Sequence, residues 1–400
     1  MFWWLYFTTA DPSSNPPLII WLQGGPGGSS VGFGNFAEIG PLDVNLNPRN
    51  TTWLQKASLL FIDNPVGAGY SYADTDDAFT TNVSQIADDL LSVLKAFYKR
   101  QPSFQDTPLW IFTESYGGKM TSAFSQKLVK AISDGEIKSN FKGCALGDSW
   151  ISPIDSLLSW GPYLYHTSLA DKPGLAKVNA GAQVAQQLLK EGKFTEATAQ
   201  FGVLEDIIET VTDGVNVYNI LQFNNEGPQS VKDIRKGRTS KDRLYNRHVG
   251  VYYANDALDD LMNGPIKKKL GIPANVTWGG QSAMVFSKQA GDFMKSVQDI
   301  VDDLITNTSL QVTVYSGQLD LIVDTVGTEA WVNNLKWPGL QQWNSTQWQP
   351  VLVSNQRTGF YKTVQNFSFF WILKAGHMVP ADAGETALKM VEMVISKSSR

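Results

Sequence analysis

The chain carries one cysteine in 400 residues, Cys144 in the stretch "FKGCALGDSW". A single thiol excludes an internal disulfide. With only three histidines, His166, His248 and His377, no Cys/His cluster of metal-ligand spacing can be drawn, and no metal is expected. The lone cysteine reads as a small buried side chain at a strand end. Basic excess is missing as well: 33 Lys and Arg stand against 38 Asp and Glu, for a net charge of −5. That argues against a nucleic-acid partner, whose footprint is a basic stripe or patch. Long apolar runs are absent, and none approaches the roughly 20 residues that a membrane span needs. The opening "MFWWLYF" lacks the basic flank and small-residue cleavage site of a leader. It reads as a strand, and a chain that opens on a strand is expected to have lost its leader or to be a fragment.

What is present fits a globular protein. Hydrophobic residues make up 42% and charged residues 18%, and the length allows one large domain or two ordinary ones. Scarce cysteine favours a reducing compartment. Against that stand the N-x-S/T sequons at Asn50, Asn82, Asn275, Asn307, Asn344 and Asn366. So many on one chain shift the expectation to a glycosylated, secreted or lysosomal protein.

Along residues 1–153, apolar runs ("FWWLYF", "LIIWLQ", "ASLLFID", "PLWIF", "CALGD") alternate with stretches of helical spacing at 85–100 and 119–132. Continuously apolar strands between amphipathic helices predict a mostly parallel central sheet with helices on both faces, an α/β fold. From 154 to 308 the pattern turns helical, and the polar, basic stretch 224–243 reads as an exposed loop. Sheet pattern resumes in "LQVTVYSGQLDLIV" and "FSFFWILKAGHMV", and the chain closes on the helical "ETALKMVEMVISK". The expected organisation is a core of 1–153 and 309–400 interrupted by a helical cap at 154–308.

Chemistry concentrates in "FTESYGG". A strand, a sharp turn and a helix beginning near Gly118 form the setting of a nucleophile elbow, with Ser115 at its tip. The rival reading is a serine in an ordinary turn, and Thr113 breaks the strict G-x-S-x-G pattern. A serine nucleophile needs a base. His166 and His248 fall within the insertion, whereas His377 follows the strand "FFWIL", where a strand-end loop would carry it over the site. The acid should precede it in the chain. Asp320, just past "QVTVY", is preferred over Asp324, whose simpler role is a helix N-cap. The glycine-rich "WLQGGPGGSS" supplies backbone N–H groups, with Gly25 and Tyr116 as the oxyanion pair. It lacks the Gly-Lys-Ser/Thr ending of a phosphate-binding loop.

Taken in order, "WLQGGPGGSS", "EIGPLD", "DNPVGAGYSY", "ESYGG", "SGQLDLIV" and "AGHMVP" resemble the serine carboxypeptidase family, which has the α/β-hydrolase fold. The resemblance covers nearly the whole chain. It implies a serine-type carboxypeptidase acting on peptide or protein C-termini, without a cofactor, in which Ser115, Asp320 and His377 form the triad. It also implies that Gln23, Glu38 and Glu114 grip the substrate's terminal carboxylate. Gln23 stands where the wider family has asparagine, Gly28 where it has cysteine, and Thr113 where glycine is usual. Two neighbouring carboxyls that share one proton would favour activity at acid pH. Relatives form dimers or are nicked within their insertion, and a homodimer and a cut within 224–243 are expectations of the same kind. Fold relatives that transfer acyl groups, and a catalytically silent protein that binds partners, are the alternative readings.

Overall fold

A computed structural model describes residues 1–224 and 256–396. His248 and the basic stretch 224–243, from residue 225 onward, lie outside the described residues. Nine strands form one sheet: β1 Trp3–Tyr6, β2 Leu18–Leu22, β3 Ser58–Ile62, β4 Pro108–Glu114, β5 Asn140–Gly147, β6 Gln311–Gly317, β7 Gln349–Val353, β8 Gln356–Val364 and β9 Phe367–Ile372. Their order is β1-β3-β2-β4-β5-β6-β9-β8-β7. The six central strands run parallel, and β1, β8 and β7 add antiparallel edges.

The continuous apolar runs are explained by burial on both faces. Successive side chains of a strand point to opposite sides. On β2, Leu18, Ile20 and Leu22 join one core, packed with helices α1 (Val83–Arg100) and α2 (Gly117–Ser133). Ile19 and Trp21 join the other, with Trp53, Phe112 and the closing helix Gly384–Ile395. Local signals agree with this packing. Asn82 caps α1 by accepting from Gln85 N–H at 3.0 Å, and Lys99 and Arg100 sit in its last turn, where the helix dipole favours cations.

Helices α3 (Pro153–His166), α4 (Lys172–Lys190) and α5 (Phe194–Thr212) follow β5. Leu157, Trp160, Phe201 and Leu204 from these helices continue the first core. Between 154 and 308 the described residues include no strand beyond isolated bridges, among them Gly28↔Gln281 and Gly69↔Gly279. The apolar "LDLIV" after β6 is a buried turn rather than strand, and the β7–β8 hairpin has no counterpart in the sequence-based expectation.

Ile111 is fully buried at the centre of β4, inside the first core. Ile111→Ala should cost about 2–5 kcal/mol through lost transfer energy and a cavity between sheet and helices. A urea midpoint unchanged from wild type would contradict this packing.

Candidate active site

The candidate residues meet at the carboxyl ends of the parallel strands. Sheet order reverses there: β3 lies on one side of β2 and β4 on the other. Such a switch point opens a crevice. Gln23 to Gly25 leave β2, Glu114 to Tyr116 leave β4, Asp148 leaves β5, Asp320 follows β6 and His377 follows β9.

Ser115 has φ 62°, a left-handed conformation that costs a non-glycine residue on the order of 1–3 kcal/mol. Neighbouring backbone holds it there. Its N–H donates to Gly147 O at 3.0 Å, and its carbonyl accepts from Gly118 N–H at 2.9 Å and Trp150 N–H at 3.0 Å. Thr113 replaces the usual glycine without loosening the turn. Its hydroxyl donates to Leu22 O at 2.7 Å, tying β4 to β2. A Cβ on Gly117 would collide with that same Thr113 hydroxyl and would lie 2.6 Å from Leu22 O, so the second glycine is the one this elbow requires.

His377 and Asp320 are brought together. His377 Nδ1 lies 2.7 Å from Asp320 Oδ2, with both side chains buried. The imidazole is fixed from behind: His377 N–H donates to Tyr218 O at 2.8 Å, and the two rings meet edge to face at 5.0 Å between centroids. The loop before it is tied down by Asp382, whose Oδ2 accepts from Gly376 N–H at 2.7 Å and from the Asn219 amide at 3.0 Å. Asp324 is occupied elsewhere. It caps the helix Thr325–Asn333, accepting from Gly327 N–H at 2.8 Å, and takes the Ser159 hydroxyl at 2.6 Å.

The glycine-rich loop lies against the elbow. A Cβ on Gly24 would come within 3.0 Å of Tyr116 N, so the two backbones touch. Gly25 follows at φ 115°. The loop is clamped from outside by residues 278–282. Ser29 N–H donates to Gly280 O at 3.0 Å, Ser282 N–H to Gly27 O at 3.1 Å, and the Gln281 amide to Pro26 O at 3.0 Å. From below, buried Asp63 accepts from the Ser29 hydroxyl at 2.7 Å, Val31 N–H at 3.0 Å and Tyr70 N–H at 2.9 Å. The Tyr116 hydroxyl donates to Asp292 at 2.9 Å, and Asp292 also pairs with buried Lys119 at 3.3 Å. Asp63, Tyr218, Gln281 and Asp292 were not singled out from the sequence. Asp63 carried a signal, inside the quoted "DNPVGAGYSY".

Gln23, Glu38 and Glu114 form one buried group. The Gln23 amide donates to Glu38 at 3.1 Å and to Glu114 at 3.0 Å, and its carbonyl accepts from Trp21 Nε1 at 2.8 Å. Both carboxyls thus lie against the same amide nitrogen, and their other oxygens, Glu38 Oε2 and Glu114 Oε2, are buried without a hydrogen-bond partner. A proton held between the two carboxyls would satisfy both. Burial raises both groups, and the Glu38 charge lifts Glu114 well above the ordinary carboxyl range. Burial also pushes Asp63 up to about 6 and Asp324 up to about 7. Among the described residues, one His and acid group has its ligand atoms within 4.8 Å: Asp148, Asp320 and His377, where the Asp320–His377 hydrogen bond occupies the gap.

The family described as Serine carboxypeptidase matches residues 1–397. The chain belongs to the serine carboxypeptidase family. This carboxypeptidase-family chain is 54% identical to the retinoid-inducible serine carboxypeptidase of Rattus norvegicus over 401 residues, covering 98% of this chain and 88% of the relative. It is 42% identical to "Serine carboxypeptidase-like 51" of Arabidopsis thaliana, with the same coverage. The prohormone-processing carboxypeptidase KEX1(DELTA)P of Saccharomyces cerevisiae shares the fold, at a TM-score of 0.83 and 22% identity over 99% of this chain and 86% of that one. The fold is that of the α/β-hydrolases. No described helix is long and apolar enough to cross a membrane.

The raised carboxyls fix the sign of the pH dependence. A carboxyl with folded pKa above its unfolded value of about 4 stabilises the fold fully below that value, and the contribution is lost as pH rises through the folded pKa. For Asp63 and Asp324 the loss spans about 4 to about 6 and 7; Glu38 and Glu114 act in the same direction. The lowered carboxyls Asp11, Asp43 and Glu191 lie at or near the surface and act only below the ordinary values of 3.8 for Asp and 4.5 for Glu. Thermal unfolding should therefore come a few degrees higher at pH 5 than at pH 7.5. A midpoint that rises toward pH 7.5 would contradict the assignment.

Proposed function

We propose that this serine carboxypeptidase-family protein removes single residues from the C-termini of peptides and proteins, with Ser115, His377 and Asp320 as its triad. Ser115 Oγ attacks the last peptide carbonyl while His377 takes its proton. The Gly25 and Tyr116 N–H groups receive the oxyanion. His377 returns the proton to the departing amino group, leaving an acyl-enzyme on Ser115, and water then releases it by the same steps in reverse. Asp320 holds the imidazole in one tautomer and stabilises the imidazolium.

The observation that carries this reading is the buried Gln23–Glu38–Glu114 group beside the nucleophile. Glu114 directly precedes Ser115, so whatever the acid pair holds is placed next to the attacking hydroxyl. When substrate binds, Gln23 and the proton-bearing carboxyl exchange these hydrogen bonds for ones to its terminal carboxylate, and loss of the shared proton turns the recess repulsive. Activity should therefore favour acid pH. This grip argues for peptides with a free C-terminus over acyl transfer to alcohols, and the assembled catalytic groups argue against a silent binding protein.

Residues 154–308 act in this reading as a cap on a core of 1–153 and 309–400. A secreted or lysosomal setting agrees with acid operation and with exposed sequons at Asn50, Asn275, Asn307 and Asn344, and a half-buried one at Asn82. The Asn366 amide already donates to Ile305 O and Leu310 O, each at 3.0 Å, so it is the weakest glycan acceptor.

Two matched peptides, one with a free C-terminal carboxylate and one amidated, test the proposal at pH 5 and pH 7.5 by mass spectrometry. The free peptide alone should lose its last residue, faster at pH 5. Ser115→Ala should reduce the rate by at least about 10³-fold. Equal attack on both peptides would sink the carboxylate grip.

A further inference from the structure

Asp148 is a buried acid that the reaction above does not use. It follows β5 directly, is fully buried, and adopts φ 38°, a left-handed conformation uncommon outside glycine. The backbone fixes it at both ends: its N–H donates to Tyr315 O at 2.8 Å, and its Oδ1 accepts from Gly317 N–H at 2.8 Å. Its carboxyl lies within 4.8 Å of the Asp320 carboxyl and the His377 ring, and its buried Oδ2 has no hydrogen-bond partner.

Two buried carboxyls this close favour a proton on one of them, and the surrounding donors decide which one carries it. Asp320 faces His377 Nδ1 at 2.7 Å and Val323 N–H at 3.3 Å, both suited to a carboxylate. Asp148 receives one backbone N–H, on Oδ1, and its buried Oδ2 has none. A proton on Asp148 satisfies that oxygen and presents Asp320 with a third donor. We propose that Asp148 is a positioning residue of the triad: its carboxyl is the hydrogen-bond donor that holds Asp320 in line with His377.

The charged and titratable groups around it agree. They are Asp320, His377, Glu114 with its partner Glu38, and the Tyr315 phenol. Apart from His377, each is acidic or neutral. Burial and then the Asp320 charge hold the Asp148 carboxyl well above the usual range, with His377 acting in the opposite direction.

The inference rests on the triad proposed above, and the test separates the two. Ser115 labelling by a fluorophosphonate probe reports nucleophile activation without using the carboxylate recess. Rates are measured from pH 4.5 to 9 for wild type, Asp148→Asn and Asp148→Ala, alongside kcat and KM for the free peptide. Asp148→Asn, whose amide donates in place of the proton, should label close to the wild-type rate. It should also lack the alkaline fall that wild type shows as Asp148 ionises. Asp148→Ala should label about 10–100-fold more slowly, with kcat reduced and KM unchanged. Asp148→Ala labelling at the wild-type rate, or Asp148→Asn keeping the wild-type alkaline limb, would overturn the role of Asp148 while leaving the triad standing. If Asp148→Ala fails to fold, the asparagine profile alone decides. Wild type that takes no probe would overturn the triad itself.

Discussion

The meeting of β2 and β4 at their carboxyl ends is the constraint on which the rest of the site depends. Thr113 ties the two strands through Leu22 O, Gly117 packs on Thr113, and Gly24 touches the backbone of Tyr116. These contacts hold Ser115 at φ 62° and bring the Gly24–Gly25 loop of the next strand against its turn. Other sheet ends contribute one residue each, so five strand ends carry the candidate residues apart from Glu38, which lies in the helix Ser30–Ile39. Side chains borne on strand ends are placed more accurately than those on loops.

Burial then governs the acids. Glu38, Glu114, Asp148 and Asp320 all lie out of solvent, the last two within 4.8 Å of the His377 ring. Ionising all four there would be very costly, so protons are shared and the pairing decides which group is charged. In the proposed reading, a proton shared at Glu38–Glu114 makes a recess suited to an anion, and one on Asp148 orients the acid that faces the histidine. One physical effect then has two uses, and both favour the acid range, as the expected stability of the fold does.

Much of this was legible in the chain. Both-face apolar runs announced a parallel sheet, and the helix expected at 85–100 is α1 with little change of boundary. Chain order and strand-end placement pointed to Ser115, Asp320 and His377, the last two now seen in hydrogen-bond contact. The capping role weighed for Asp324 is the one it performs. The β7–β8 hairpin escaped notice because it lies at a sheet edge with one wet face, so its residues lack the continuous apolar signal of the interior strands. Gln281 and Asp292 escaped for another reason. They sit more than 150 residues along the chain from the loop and the elbow they hold, and no local pattern marks a residue whose work is done across the fold. Asp148 was read only as part of a strand end, because its partner Asp320 becomes a neighbour through the β5–β6 pairing alone.

The most direct measurement is calorimetric binding of a free-carboxylate peptide to the Ser115→Ala protein, from pH 4.5 to 8, in two buffers of different ionisation heat. If a shared proton on Glu38 and Glu114 receives the substrate's carboxylate, affinity falls by about tenfold per pH unit once that proton titrates. Proton uptake then approaches one per bound peptide, while the amidated peptide shows neither effect. A pH-independent affinity with no proton taken up would contradict the account at its centre.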